Sequence, residues 1–248
     1  MKFLAPLALA ATLATPALAD LTEMTDAERD AFRAEVRAYL LDNPEVLMEA
    51  IAVLEERQAN AEVERDQMAV AANADALFNS AFDWVGGNPD GDVTIVEFFD
   101  YRCGYCRRVA PEVDALIEFD GNIRYVAKEF PILGDQSLLA SQFAIATRVA
   151  LGDDAYETMS DALITMRGDM TEAALIALAE ENGLPSQEIV AALDDPLVAS
   201  TIAYNRDLAG RLSITGTPTF VFGDQLVRGA IGVDDMQRIV ELIRAEAN

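Results

Sequence analysis

Apolar residues recur at helical spacing through the first part of the chain. Phe32, Val36, Tyr39 and Leu40 form one set, and Val46, Leu47, Ala50, Ile51 and Leu54 form a second beyond Asn43-Pro44. Intervals of three and four place each set on one helix face. Thr25 with Glu28 predicts a capping box, in which hydroxyl and carboxylate each satisfy an orphan N–H of the helix start. Asn43-Pro44 reads as a cap followed by proline at the first helical position, so one helix stops and another begins there. The second helix turns strongly polar from Glu55 to Gln67, and residues 25–80 read as helix almost throughout. A stripe with nothing of its own to pack on must find another surface. Either these helices fold back on the main domain or they meet their copies in another subunit; because they precede an otherwise complete domain, the homo-oligomer is the favoured expectation.

From Trp84 the pattern shifts to period-two and β-branched runs. Gly86-Gly87-Asn88-Pro89-Asp90-Gly91 is a turn cluster, and Val93 to Phe99 reads as a buried strand. A helix opens at Cys103 and carries Val109, Val113 and Leu116 to about Glu118. A second strand, Ile123 to Lys128, ends at Phe130-Pro131. Residues 135–209 are helical again, with segments Ser137–Leu151, Ala155–Met166, Thr171–Asn182 and Ser186 to about Leu193. Strand signals return at Thr219–Phe222 and Gln225–Arg228, joined by a turn at Gly223-Asp224. A last helix starts near Asp234 and turns Met236, Ile239, Val240 and Ile243 inward. The predicted order is βαβ, a helical insert, then ββα, an α/β architecture.

The first residues read as an address. Lys2 supplies a basic start, Leu4 to Leu13 an apolar run, and Ala17-Leu18-Ala19 a small-residue cleavage pattern ahead of Asp20. Residues 1–19 are therefore expected to be a signal peptide cleaved after Ala19. Residues 20–80 would form the N-terminal helical segment and 81–248 the main domain. Export places the protein in a compartment where disulfides form, which for this type of leader is the periplasm.

Composition then removes whole classes of chemistry. The chain of 248 residues has no histidine, which excludes a histidine general base, a Ser-His-Asp or Cys-His triad and an imidazole-ligated metal. With 43 acidic and 18 basic residues the net charge is −25, which argues against a nucleic-acid partner. Its 52% hydrophobic content is that of a globular protein.

Only two cysteines occur, Cys103 and Cys106, spaced C-x-x-C where a strand gives way to a helix. A helix start presents unpaired N–H groups and positive partial charge, which favour a thiolate, and Arg102, Arg107 and Arg108 add cations. Cys103, nearest the helix end, is the expected exposed nucleophile. Cys106, one turn further in, is placed to resolve a mixed disulfide by attacking the sulfur of Cys103. So small a loop constrains the unfolded chain little, which speaks against a purely structural disulfide. A four-thiolate metal site shared between two chains stays open as an alternative.

The run Val96-Glu97-Phe98-Phe99-Asp100-Tyr101-Arg102 before the cysteines, and Gly216-Thr217-Pro218-Thr219-Phe220 downstream, resemble the thiol-disulfide oxidoreductases of the DsbA family. With the N-terminal helices added, the chain is most similar to the ScsC-like branch and the related outer-membrane protein antigens. The resemblance implies a thioredoxin fold with an inserted helical domain, a reaction that needs no cofactor, exported substrate proteins carrying thiols or disulfides, and a membrane partner that recycles the site. It further implies that Cys103 is the nucleophile, Cys106 the resolving thiol, and Thr217-Pro218 a cis-proline loop that pairs with an extended substrate. Glu97 corresponds to a buried acid that relays a proton to the inner cysteine; a carboxyl in a buried strand is expected to hold its proton toward neutrality. Lys128, ending the next strand, is a candidate cationic partner for Glu97.

One departure bears on direction. Strongly oxidising relatives carry histidine between the cysteines, and Gly104-Tyr105 provide no cation there. A less stabilised reduced form makes a weaker oxidant, which points toward isomerase or reductase work. Two rival readings remain: an exported envelope binding or structural antigen with non-catalytic thiols, and a protein that handles the soft ion Cu(I) through the two sulfurs.

Overall fold

The structure, a computed structural model, describes residues 24–246. The expected signal peptide at residues 1–19 lies outside the described residues. The chain divides into two compact units, one up to Gln58 and one from Ala59.

In the first unit, helix α1 spans Asp26–Asp42, and helix α2, Glu45–Ala72, begins after Asn43-Pro44. The predicted capping box is formed: Thr25 Oγ1 accepts from the Glu28 amide at 3.3 Å, and the Thr25 amide donates to Glu28 Oε2 at 2.9 Å. Helix α1 buries none of its residues. Phe32, Tyr39, Leu47, Ile51 and Leu54 stand between 47% and 54% exposed.

The second unit starts with the end of α2 and the short helix α3, Ala74–Phe78. It continues through β1 (Trp84–Gly87), β2 (Val93–Phe99), α4 (Gly104–Asp120) and β3 (Ile123–Glu129). The insert follows as α5 (Asp135–Leu151), α6 (Asp153–Thr165), α7 (Glu172–Glu181), α8 (Ser186–Ala192) and α9 (Pro196–Arg211). The chain then returns through β4 (Thr219–Phe222), β5 (Gln225–Arg228) and α10 (Val233–Glu246). The sheet order is β1-β3-β2-β4-β5, with β2 and β3 parallel and the other neighbours antiparallel. Parallel neighbours require a crossover, and α4 provides it.

Each face of the sheet has its own core, as the alternation of side chains demands. Val93 and Ile95 of β2 pack with Val109, Val113 and Leu116 of α4 and Met236 and Val240 of α10. Val96 and Phe98, offset by one, pack with Leu77 of α3 and Leu208 of α9. A third cluster continues from Phe99, Cys103 and Cys106 into the insert, through Phe143, Tyr156, Met159 and Leu163.

Two elements differ from the sequence reading. Residues Gly86 and Gly87 belong to strand β1 rather than to a turn, and the turn begins at Asn88, whose carbonyl accepts from Gly91 N at 2.9 Å. Gly86 leaves room for a neighbour: a Cβ there would meet the Trp84 indole at 2.2 Å. Helix α9 was not separated in the sequence reading, although Asp195-Pro196 starts it, with Asp195 Oδ1 accepting from Leu197 N at 2.8 Å.

The expected pairing of Lys128 with Glu97 is wrong. Register sets Glu97 opposite Ala127 and Phe98 opposite Lys128, so the lysine lies on the other face of the sheet from Glu97. There it is fully buried, paired with Asp83 and donating to the Ala76 carbonyl at 2.7 Å. Lys128→Met leaves the Asp83 charge buried and unpaired, an expected loss of about 3–5 kcal/mol of unfolding free energy. Urea denaturation checks this, and adding Asp83→Asn to the same chain should recover most of the loss.

Candidate active site

The strand-to-helix junction is held by Asp100, which follows directly on β2. Its buried carboxylate accepts from the amides of Arg102 at 2.8 Å, Ile132 at 2.8 Å and Leu133 at 3.1 Å. Its carbonyl accepts from Cys103 N at 3.0 Å. One side chain thus ties together the loops that leave the parallel strands β2 and β3. Arg107 adds a second tie, donating to the Tyr101 carbonyl at 2.6 Å and the Met166 carbonyl at 2.7 Å. Cys103 is the N-cap of α4, and Cys106 lies in its first turn.

Antiparallel pairing of β2 with β4 sets Phe98 opposite Thr219, which brings the loop before β4 beside the end of β2. The Thr217–Pro218 peptide in that loop is cis, as the resemblance implied. The Cys103 thiol donates to the Thr217 carbonyl at 3.2 Å across 114 residues of sequence. That contact corrects the expectation of an exposed nucleophile: Cys103 is only 6% exposed, because the Thr217 loop packs over it. Of the intervening pair, Gly104 has open space at its Cβ position, and Tyr105 is 59% exposed with the Arg108 guanidinium 4.6 Å above its ring. Arg102 bonds Gln136. The three arginines near the motif therefore each have another partner.

Behind the thiol pair, Cys106 is 1% exposed. Burial pushes its thiol pKa well up, and the charge of Glu97 pushes it further. Glu97 is itself 4% exposed, on the sheet face covered by α4. Burial raises its pKa to about 7, against a 2.6 Å hydrogen bond from the Tyr125 hydroxyl and with a smaller push from Asp114. Thiolate at Cys106 and carboxylate at Glu97 disfavour one another, so near neutrality the two groups together favour holding one proton. Both line a cavity of about 490 Å³ that Asp114 of α4 and Glu157, Ser160 and Asp161 of α6 also line.

A second buried acid, Glu129, lies at the end of β3. Tyr101 and Tyr156 donate to its Oε1 at 2.7 and 2.8 Å, and Ser141 donates to Oε2 at 2.7 Å. Burial raises its pKa to about 7.

The structure therefore brings Cys103, Cys106, Glu97, Thr217 and Pro218 to one region and sets Lys128 apart. Sequence reasoning missed Asp100, Tyr125 and Asp114. Tyr125 was findable, because strand alternation puts it on the face of Ala127, opposite Glu97. Asp114 was findable as well, two helical turns beyond Cys106 on the same helix. Among the described residues, no group of three or more Cys, Asp or Glu is arranged to hold a metal ion.

Residues 94–243, more than half the chain and including both cysteines, Glu97 and Thr217-Pro218, match the DsbA-like thioredoxin domain. The chain belongs to the DsbA-like thioredoxin family. Residues 28–61 match the copper resistance protein ScsC N-terminal domain. A thioredoxin-like oxidoreductase from Silicibacter pomeroyi is 41% identical, with TM-score 0.66, over 69% of this chain and 97% of that one. Proteus mirabilis ScsC in a transitional conformation is 28% identical, with TM-score 0.66, over 90% of this chain and 100% of that one. Among curated proteins, the Na(+)/H(+) antiporter NhaA 1 of Salinispora arenicola is 32% identical over 158 residues, covering 64% of this chain. The match covers only 24% of that antiporter, so the chain spans about a quarter of that relative. DsbA-like proteins of this family are thiol-disulfide oxidoreductases, and the CGYC pair of this chain sits at the strand-to-helix junction of the fold.

Glu97 and Glu129 both hold a proton in the fold to about pH 7, against an ordinary glutamate value of 4.5. The folded protein therefore binds more protons than the unfolded chain between those values, and stability falls as pH rises through that window. The contribution is fully present below about 4.5 and lost above about 7. Glu97→Gln or Glu129→Gln should flatten the decline by about 3 kcal/mol each between pH 5 and 8. Urea midpoints measured across that range check it.

Proposed function

We propose that this protein is an exported, periplasmic protein thiol-disulfide oxidoreductase that works through Cys103-Gly104-Tyr105-Cys106. One observation carries the reading: the Cys103 thiol lies at the helix mouth against the Thr217 carbonyl, with Cys106 and the protonatable Glu97 behind it. In the reducing direction the Cys103 thiolate attacks a substrate disulfide, one substrate sulfur leaves as thiolate, and a mixed disulfide forms. Cys106 then gives its proton to the Glu97 carboxylate and attacks the sulfur of Cys103. That step forms the Cys103–Cys106 bond and releases the second substrate thiolate. Oxidation of a dithiol substrate runs the same steps backward, with Glu97 returning the proton to Cys106.

Thr217 and Pro218 serve as the substrate-binding loop, where backbone groups of Thr217 pair with an extended peptide. Gly104 and Tyr105 support the pair without a cation, which favours isomerase or reductase work over strong oxidation. A membrane redox partner restores the working state. The half-exposed apolar side chains of α1 and α2 support assembly of several copies through the N-terminal helices, so that several sites face a shared space. The match of residues 28–61 to the ScsC N-terminal domain supports the same role for this segment.

Insulin reduction and scrambled-ribonuclease reactivation test the activity. Cys103→Ala should abolish both, a fall of at least about a hundredfold. Cys106→Ala should accumulate the mixed disulfide with substrate, visible on a non-reducing gel. Turnover that survives loss of Cys103 overturns the assignment. Light scattering on the full protein and on protein lacking residues 20–75 tests the assembly, and a monomer in both cases removes it.

A further inference from the structure

The cavity between α4 and α6 runs from solvent to the inner half of the redox pair. Its floor is buried: Glu97 is 4% exposed and Cys106 is 1% exposed. Its rim is exposed and acidic, formed by Asp114 of α4 and by Glu157 and Asp161 of α6. Neither Cys103 nor Thr217 lines it. A protein substrate seated along the Thr217 loop therefore closes one face of the pair and leaves the cavity open.

That arrangement addresses a physical difficulty. Cys106 can give up its proton only to a Glu97 carboxylate, so a Glu97 that holds a proton near pH 7 must lose it to water while the substrate is still bound through the mixed disulfide. Docked substrate covers the Cys103 side, and the remaining surroundings of Glu97 on β2 are apolar or hydrogen-bonded. Facing Glu97 are Cys106 and Asp114 from α4 and Tyr125 from β3, which holds its Oε2 at 2.6 Å. The α6 wall presents Glu157 and Asp161, and the α4 rim also carries Glu118. Among the described residues, no cation lines the cavity.

We propose that this carboxyl-rimmed cavity is the proton port of the redox pair, with Asp114, Glu157 and Asp161 as positioning residues that pass protons between Glu97 and solvent while a protein substrate occupies the Cys103 face. The inference rests on the oxidoreductase reading above. No oxidant beyond the substrate disulfide enters it: Cys106 and Cys103 are oxidised, the substrate cystine is reduced, and the proton lost by Cys106 leaves through the cavity. Partial burial, with a smaller push from the charges of Asp161 and Glu157, raises the Asp114 carboxyl to about 6, and partial burial also raises Glu157 and Asp161. Asp114, at about 6, exchanges protons with Glu97, at about 7, at little energetic cost. The insert thereby acquires a role beyond bulk, because α6 forms one wall of the port.

The test uses the full chain with Asp114→Asn, Glu157→Gln and Asp161→Asn combined, three changes at exposed positions. Trp84, the only tryptophan, lines the cavity and reports closure of the Cys103–Cys106 bond in stopped flow. Closure should slow about tenfold with an insulin mixed disulfide. It should stay within about twofold with a glutathione mixed disulfide, whose small size leaves the Cys103 face wet. Imidazole buffer should restore the lost rate by carrying protons to Glu97. Equal rates in variant and wild type with insulin overturn the port, as does an equal slowing with both substrates. A second measurement needs no turnover: the carbon-13 shift of the Glu97 carboxyl should titrate at lower pH in the variant, and an unmoved curve overturns the coupling. Wild-type protein that closes both mixed disulfides while the port test fails leaves the oxidoreductase reading standing. Wild-type protein with no Cys103-dependent turnover overturns both.

Discussion

Antiparallel pairing between β2 and β4 is the constraint on which the rest of the site depends. Because Glu97 sits opposite Phe220 and Phe98 opposite Thr219, the segment just before β4 must lie beside the segment just after β2. Those two segments carry the Thr217–Pro218 loop and Cys103. A slip of one residue would turn every β2 side chain to the opposite face, and Glu97 would leave α4 for the core that holds Leu77 and Leu208. One hydrogen-bonded register thus fixes both the distance of the thiol from the loop and the side from which the acid reaches Cys106.

The energetics of the site run against stability. Burying the carboxyls of Glu97 and Glu129 is tolerated because each can hold its proton to about pH 7 and because tyrosine or serine hydroxyls donate to them. A tightly packed apolar core could occupy the same volume without that pH sensitivity. What the acids provide is a proton held close to the pH at which thiols exchange, next to a sulfur whose own proton is hard to remove. Lys128 and Asp83, buried on the other face, face the same desolvation but answer it with mutual charge, each holding the other in its ionised form against the burial that raises Asp83 and lowers Lys128.

Much of this was legible in the residues. The strands at Val93–Phe99 and Thr219–Phe222, the capping box at Thr25, and the helix opened by Cys103 all follow from local chemistry that the fold leaves intact. Most of the differences trace to non-local information, and one to a local signal given too little weight. Gly86-Gly87 carries turn chemistry, and only pairing with β3 and the overlying Trp84 ring make it a strand. Lys128 is close to Glu97 in strand order, and only the β2–β3 register, which sets Ala127 opposite Glu97, turns the lysine to the other face. Asp195-Pro196 repeats the signal of Asn43-Pro44 and was passed over within a long helical stretch. Burial of Cys103 depends on a loop more than a hundred residues away, which no local pattern encodes.

The hydroxyl cage around Glu129 has a consequence for how the chain acquires its shape. Tyr101 comes from the first crossover, Ser141 and Tyr156 from successive insert helices, and the acceptor from the end of β3. No one of these segments satisfies the carboxyl alone, and until all have arrived the acid is stranded without its donors. The sheet and its inserted helices are therefore knitted into a single cooperative melting unit, and a protease that nicks the insert should release the thiol pair's scaffold together with it.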